Sequence, residues 1–425
     1  MVYMPHPFVI FAGKTVRAVA RLRGGGSALP GLFVEKIDPD FIQKTLAKLP
    51  HGTVVISGTN GKTTTTKMVV SLLEANGLRV FTNRTGSNFT RGVAAALLKD
   101  VSLKGELAAD IAVLELDEAH AVKFVERVQP RHSLILNVMR DQLDRFGEID
   151  ATAELLSKIA AATTESVTLN REDPRIRRIA SLLDDQAIEY FGLSDELLAS
   201  FPSDDDLRST AIKAVQRPAA DVILQSYEGS HATFLIDKKE YTTPLKITGV
   251  YNVFNSAAAL ATTKAILGKA FDPAIAITAL ANVTPAFGRG EILKVNGHPL
   301  ELVLVKNPSG FRLGLSSFSP NGYATMIAVN DNYADGRDMS WLWDVDFDSL
   351  KELGVSQVSG IRAYDIALRL QYDEITIAHV DPDLTSALKQ FIGGTPGPRR
   401  IYCTYTAMLT IRRDLSKITN VEVIT

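Results

Sequence analysis

Thr53-Val-Val-Ile-Ser57 runs directly into Gly58-Thr-Asn-Gly-Lys-Thr-Thr64, and Lys67 to Leu73 follow at helical spacing. A β-branched run that gives way to glycines, a lysine and hydroxyls predicts a buried strand turning sharply into a helix. Backbone N–H groups of such a turn, with the positive end of the helix, face an anion, and Lys62 adds a point charge. Thr63 stands where loops of this kind place a hydroxyl on Mg²⁺. The strict pattern G-x-x-x-x-G-K-[ST] is not met, because Ile56 occupies the place of its first glycine. The shorter GTNGKTT remains, and Gly58, Thr59, Asn60, Gly61, Lys62, Thr63 and Thr64 are the candidate phosphate-binding residues. A glycine turn without a ligand is the plain alternative, but it does not require Gly, Lys and Thr to coincide after a buried strand.

Downstream, apolar runs alternate with helical patterns: strands are predicted at residues 53–57, 80–82, 111–116, 133–138 and 166–169. Near-continuous apolar strands separated by helices predict a doubly wound parallel sheet. Polar motifs stand at the carboxyl ends of these strands, where open α/β sheets bind ligands. They are Thr82-Asn-Arg-Thr-Gly-Ser-Asn88, Glu115-Leu-Asp-Glu118, Arg140-Asp-Gln-Leu-Asp-Arg-Phe-Gly147 and Asn170-Arg-Glu-Asp-Pro174. Mg²⁺ needs a hard oxygen donor near the triphosphate. Strand alternation turns Glu115 and Asp117 to one side, and Glu115, with Thr63 as partner, is the first choice.

Before the loop, residues 1–50 read as a leader of helix, loop and helix packed on the next domain. Residues 195–245 predict an exposed loop around Asp204-Asp-Asp206 and a few antiparallel strands. The helix opening at Gly249-Val-Tyr-Asn-Val-Phe-Asn255 carries Asn252 and Asn255 on one face, able to meet an adenine edge or to cap the helix. Residues 281–290 read as a hinge, where Arg289 can reach nucleotide phosphates on domain closure or remain solvated. Beyond it a second α/β unit has strands predicted at 300–305, 325–330, 374–380 and 400–407 and a helix at 383–391. The loop Asp331 to Asp344 is dense in acids and holds both tryptophans. One of them is expected to anchor the core.

A chain of 425 residues has room for two or three domains, and a net charge of −2 gives no reason to expect nucleic acid as a partner. No run approaches the roughly 18 apolar residues of a spanning helix. The N-terminus shows no basic leader before its apolar patch and no cleavage site, so no signal peptide is expected and the cytoplasm is the default compartment. A single cysteine, Cys403, rules out an internal disulfide, and its alternating, apolar surroundings favour a buried thiol over a nucleophile.

GTNGKTT, Glu115, RDQLDRFGE, Asn170 to Asp173, the GVYNVFN helix and FGRGE together resemble the Mur ligase superfamily, in its order, from about Thr53 to Glu291. The resemblance implies a central P-loop ATPase domain with a parallel sheet, here residues 51–284, and a C-terminal Rossmann-like α/β domain, residues 285–425, after the leader 1–50. It also implies ATP, Mg²⁺ and an acyl phosphate that makes a carboxylate reactive toward an amine. Lys62 and the loop amides would hold the phosphates, Thr63 and Glu115 the Mg²⁺, Asn252 the adenine, and Arg289 the phosphates or ribose in the closed state. This sequence departs from the amino-acid-adding members at Tyr251 and Gln142, where they have histidines, at Lys306-Asn-Pro-Ser-Gly310, and in the fifty residues before the loop, which leave little room for their UDP-binding domain. Lys158 does not align with their carbamylated lysine, so a second metal is in doubt.

RLRGGGSALPG, TNRTGSN, YNVFN and DNYADGRDMSWLWD further resemble the MurT family, the ligase subunits of lipid II isoglutaminyl synthase, over essentially the whole chain. That resemblance implies amidation of D-glutamate in lipid II at the inner face of the cytoplasmic membrane. Ammonia would come from a separate GatD-type class I glutamine amidotransferase. A C-terminal aspartate of the family completes the partner's Cys-His pair: Asp338 is the candidate, with Asp335 and Asp344 behind it. Many relatives insert a four-cysteine zinc ribbon that this chain cannot form, so a zinc-free member is expected. An amino-acid-adding ligase of the folylpolyglutamate synthase type and a non-catalytic nucleotide-sensing scaffold are the rival readings.

Overall fold

The computed structural model describes residues 7–22, 28–83, 88–140, 149–201, 217–247, 249–285, 289–394 and 396–421. Two sheets organise it. The first holds β1 (Thr53–Ser57), β2 (Val80–Thr82), β3 (Ile111–Glu115), β4 (His132–Ile135), β5 (Ser166–Asn170), β6 (Ala187–Leu193), β7 (Val222–Glu228), β8 (His231–Ile236) and β9 (Lys239–Pro244), in the order β2-β3-β1-β4-β5-β6-β7-β8-β9. Strands β2 to β7 pair in parallel, while β8 and β9 add an antiparallel edge.

Strand β1 is buried along its whole length because both faces are covered. Val54 and Ile56 face the core formed with the helices Lys62–Ala75, Val250–Leu267 and Pro273–Asn282. Val55 faces the opposite core, shared with the helices Thr90–Asp100 and Ile149–Ala161 and with the N-terminal helices Pro7–Leu22, Ala28–Ile37 and Phe41–Leu46. Two glycines set how closely those N-terminal helices approach. A Cβ on Gly13 would lie 2.8 Å from Val34 Cγ2 and 2.9 Å from Leu98, and one on Gly31 would lie 2.0 Å from the Arg91 carbonyl.

The second sheet holds β10 (Arg289–Val295), β11 (His298–Leu304), β12 (Ala324–Ala328), β13 (Gln357–Ser359), β14 (Val380–Asp381) and β15 (Arg399–Cys403), in the order β10-β11-β15-β12-β13-β14. Only β10–β11 is antiparallel. One face carries a core around Phe311, Trp341, Phe347 and Tyr402, the other a core around Met326, Phe391, Cys403 and Met408. Between β11 and β15 the buried Arg400 and Glu301 pair at 2.8 Å.

Several strands end differently from the sequence reading: β4 stops at Ile135 and β12 at Ala328, short of the 138 and 330 expected. The stretch 374–380 is not a strand along its length: Glu374 turns with φ +59°, Ile377 makes a single bridge to Val355, and pairing begins only at Val380. The strand predicted at 400–407 stops at Cys403: the helix Tyr405–Leu415 begins two residues on, and the hydroxyl of Thr404 between them accepts from the Asn330 N–H at 2.9 Å. Strands β6, β10 and β13 were not foreseen, and β10 begins at Arg289, inside the stretch read as a hinge.

Candidate active site

Strand β1 lies between β3 on one side and β4 on the other, so the chain order reverses there and a crevice opens at its carboxyl end. The phosphate loop occupies that place. Gly58 and Gly61 take φ +137° and +88°, values that side chains resist. A Cβ on Gly61 would also stand 2.2 Å from the Asn255 amide nitrogen.

Neighbouring strand ends hold the loop. The Asn60 N–H donates to Asn137 Oδ1 at 2.9 Å, and Asn137 Nδ2 donates back to the Asn60 carbonyl at 3.0 Å. Thr59 Oγ1 accepts from the Met139 N–H at 3.0 Å and donates to its carbonyl at 3.3 Å. Beneath Met139, Asp173 caps the helix Pro174–Ile179 and also accepts from the Val138 N–H at 2.8 Å. Asn170 donates to the Leu136 carbonyl at 2.9 Å. The Asn170 to Asp173 motif therefore stitches strand ends under the loop.

Lys62 is buried and donates to the Gly58 and Thr59 carbonyls, with both Glu118 oxygens at 3.4 Å. Burial pushes the Glu118 carboxyl above its ordinary range, Lys62 pulls it down, Asp117 pushes it up again, and Lys306 of the second sheet's domain also pulls it down. Thr63 Oγ1 donates to Glu115 Oε1 at 2.8 Å, and Asn83 clamps Glu115 through both backbone groups at 2.8 and 3.0 Å. A hydroxyl and a carboxylate are hard oxygen donors, the set Mg²⁺ takes when nucleotide oxygens and waters complete its shell. Among the described residues no cluster of three His, Cys, Asp or Glu side chains could hold a metal without such help.

The second domain closes the crevice. Asn307 caps the helix Pro308–Ser317 by accepting from the Gly310 N–H at 2.6 Å, and its Nδ2 donates to Asn60 Oδ1 at 3.4 Å. Ser309 Oγ reaches the Arg140 carbonyl at 3.2 Å, and Arg140 pairs with Asp344 at 3.6 Å. On the helix Val250–Leu267, Asn255 is the asparagine against the loop, and Asn252 sits half-buried one turn earlier. The Arg289 side chain, residues 84–87 of the TNRTGSN motif, and 141–148 of RDQLDRFGE lie outside the described residues. Sequence reasoning did not single out Glu118, Asn137, Asn307 or Ser309. An Asn-Pro step after an apolar strand, at Asn307-Pro308, was the available cue for a capped helix at the site.

The loop 331–344 divides by role. Asp335 is buried, accepting from the Thr406 N–H at 2.7 Å and from the Asn332 N–H at 3.1 Å. Asp338 is half-exposed and accepts from the Ser340 N–H at 2.9 Å. Trp341 is buried against Phe311, whereas Trp343 is 50% exposed and stacks edge-on with Tyr372. Cys403 is fully buried, and burial, with Asp335 second, pushes its thiol far above the ordinary value.

Residues 56–263 match the Mur ligase middle domain and 304–408 the MurT ligase C-terminal domain. The subunit MurT of lipid II isoglutaminyl synthase (glutamine-hydrolyzing) from Streptococcus pneumoniae is 32% identical over 96% of both chains. A pseudomurein peptide ligase type C from Methanothermus fervidus shares the fold, with a TM-score of 0.68 at 19% identity over 89% of this chain and 80% of that one. So does the MurF ligase of Thermotoga maritima in complex with ADP, with a TM-score of 0.65 at 18% identity over 89% and 82%. With a strand-end phosphate loop closed by a second α/β domain and 32% identity to a MurT subunit over nearly the full length of both chains, the chain belongs to the MurT family of the ATP-dependent Mur ligases.

Proposed function

We propose that this chain amidates the α-carboxyl of D-glutamate in the stem peptide of lipid II, giving D-isoglutamine, with ammonia released by a GatD-type glutaminase subunit. The observation that carries this reading is the shared Asn60: its backbone is held by Asn137 of its own domain and its side chain by Asn307 of the other. A phosphate loop touched from both sides suits a reaction that needs ATP and acceptor enclosed together. The name of the Streptococcus pneumoniae relative supplies the substrate, the hydrolysis of glutamine and the existence of a further subunit.

A carboxylate oxygen attacks the γ-phosphorus of ATP and ADP leaves. Ammonia then attacks the acyl phosphate carbon and inorganic phosphate departs with the carboxyl oxygen. Lys62 and the loop N–H groups stabilise charge on the transferring phosphoryl group. Mg²⁺, held by Thr63 and Glu115, would neutralise phosphate charge when bound. Asn252 is assigned to the adenine, and Arg289 to the phosphates or ribose on closure. The buried thiol of Cys403 cannot serve glutamine hydrolysis, which supports a nucleophile on another chain. Of the three candidate acids, Asp335 is consumed by Thr406 and Asn332 and Asp344 faces Arg140, which favours Asp338 for orienting the partner's histidine. No described helix is long and apolar enough to cross a membrane. A cytoplasmic protein would meet lipid II at the inner membrane face.

The test is a reconstitution with glutaminase, ATP and lipid II, read by mass spectrometry. Asp338→Asn keeps amidation with ammonium salts and loses it with glutamine. Equal loss with both nitrogen sources removes the role given to Asp338, and no amide from the parent complex rejects the function.

A further inference from the structure

The helix Pro7–Leu22 has two faces of unlike fate. Val9 and Ile10 are buried and Gly13 lies against Val34 and Leu98, so one face is committed to the fold. The other face presents Phe8 at 75% exposure, Phe11 at 60% and Val19 at 44%, with Thr15 and Ala18 also exposed between them. Its one hydroxyl is satisfied within the helix, Thr15 Oγ1 donating to the Phe11 carbonyl at 2.9 Å. On the next helix Leu29 is also 54% exposed.

Charge is segregated to the same segment. Lys14, Arg17, Arg21 and Arg23 all precede the first acidic residue, Glu35, in a chain whose net charge is −2. Lys14 flanks the aromatic face, its ammonium also reaching the Lys99 carbonyl at 3.5 Å. Exposed phenylalanines bordered by Lys and Arg, on a helix too short and polar to span, form the pattern of a helix lying in the plane of a bilayer interface. A second copy of the chain would bring the like charges of Lys14 and Arg17 together, whereas an anionic lipid surface neutralises them.

We infer that the helix Pro7–Leu22 is a peripheral membrane anchor, with Phe8 and Phe11 entering the headgroup boundary of an anionic bilayer and Lys14 and Arg17 facing lipid phosphates. The helix packs on Thr90–Asp100, and the Asn88 carbonyl just before that helix accepts from the Asp117 N–H at 3.2 Å. The anchor thus stands one layer from the carboxyl end of β3, which neighbours β1 and its phosphate loop. The inference rests on the exposed face and not on the amidation chemistry, so a chain acting on another substrate would still bind lipid.

The experiment is flotation of the purified full chain with vesicles of phosphatidylcholine alone or mixed with phosphatidylglycerol. The parent floats with the anionic vesicles, less so at high salt. Phe8→Ser with Phe11→Ser weakens this at least about tenfold, the loss expected when two rings no longer leave water, while circular dichroism and nucleotide binding stay at parent values. Lys14→Gln with Arg17→Gln narrows the preference for anionic over neutral vesicles. Absence of flotation, flotation indifferent to the Phe8 and Phe11 changes, or a lipid-free dimer that those changes dissociate would each overturn the inference, the last by making a second copy the occupant.

Discussion

Gly61→Ala attacks the phosphate loop at its tightest point. The residue has φ +88°, where a non-glycine side chain costs about 1–2 kcal/mol. The new Cβ would also stand 2.2 Å from the amide nitrogen of Asn255, which is 5% exposed and has no open solvent to swing into. Overpacking of this kind costs a further 1–3 kcal/mol or so. The substitution should therefore destabilise the central domain by about 2–5 kcal/mol and weaken nucleotide binding at least about tenfold. Asn255→Ala alone opens a small cavity and costs about 1–2 kcal/mol. Combined, the two changes should cost less than their sum by about 1–3 kcal/mol, because the smaller side chain admits the new methyl while the backbone strain persists. Urea unfolding of the four proteins, with and without a non-hydrolysable ATP analogue, measures the coupling, and calorimetry measures the affinity. Additive costs within about 0.5 kcal/mol, or parent affinity in Gly61→Ala, would refute the packing of loop against helix.

Two further outcomes follow from buried charge. Lys62→Ala should abolish amidation and also lower stability by about 3 kcal/mol, because Glu118, 1% exposed, loses its cation. Adding Glu118→Gln should restore most of that stability and none of the turnover, and turnover in Lys62→Ala alone would contradict the role of the lysine. Burial holds His132 at about 4, below its ordinary 6.5, beside the Ser166 hydroxyl at 2.7 Å. The unfolded chain takes up the proton first as pH falls, so the stability this neutral histidine contributes is present above 6.5 and lost toward about 4. His132→Gln should flatten that part of the unfolding profile, and an unchanged slope would show that the ring is not held neutral.

The sequence announced the first sheet through its core strands, because β1 and β3 carry the apolar runs Val54-Val-Ile56 and Ile111-Ala-Val-Leu114, and β5, though it alternates Val167 and Leu169 with hydroxyls, includes β-branched Val167 and Thr168 and is buried throughout. Strand β6, Ala187–Leu193, is half-exposed along its first four residues and mixes Glu189 and Tyr190 with apolar neighbours, so no clean period marks it. Strand β13 has three residues, too few for any period. At the site, the glycines, Lys62, Thr63 and Glu115 were legible because each stands at a fixed offset from a strand end. Glu118 was weighed with the other acids of its segment, but nothing in the sequence says that helix entry at Asp117 turns it toward Lys62. Asn307 lies 247 residues from Asn60, and only the docking of one domain on the other brings them together. The Asn170 to Asp173 segment carried a family pattern whose structural purpose, tying Leu136 and Val138 beneath the loop, appears only once β4 and β5 are seen side by side.

The most direct measurement follows the oxygen. Lipid II labelled with ¹⁸O in the α-carboxyl of D-glutamate, incubated with the complex, ATP and glutamine, should yield inorganic phosphate carrying one labelled oxygen for each amide formed, since the carboxyl oxygen leaves with phosphorus. Unlabelled phosphate alongside the amide, or ATP consumed without amide, would contradict activation of the carboxylate at this loop.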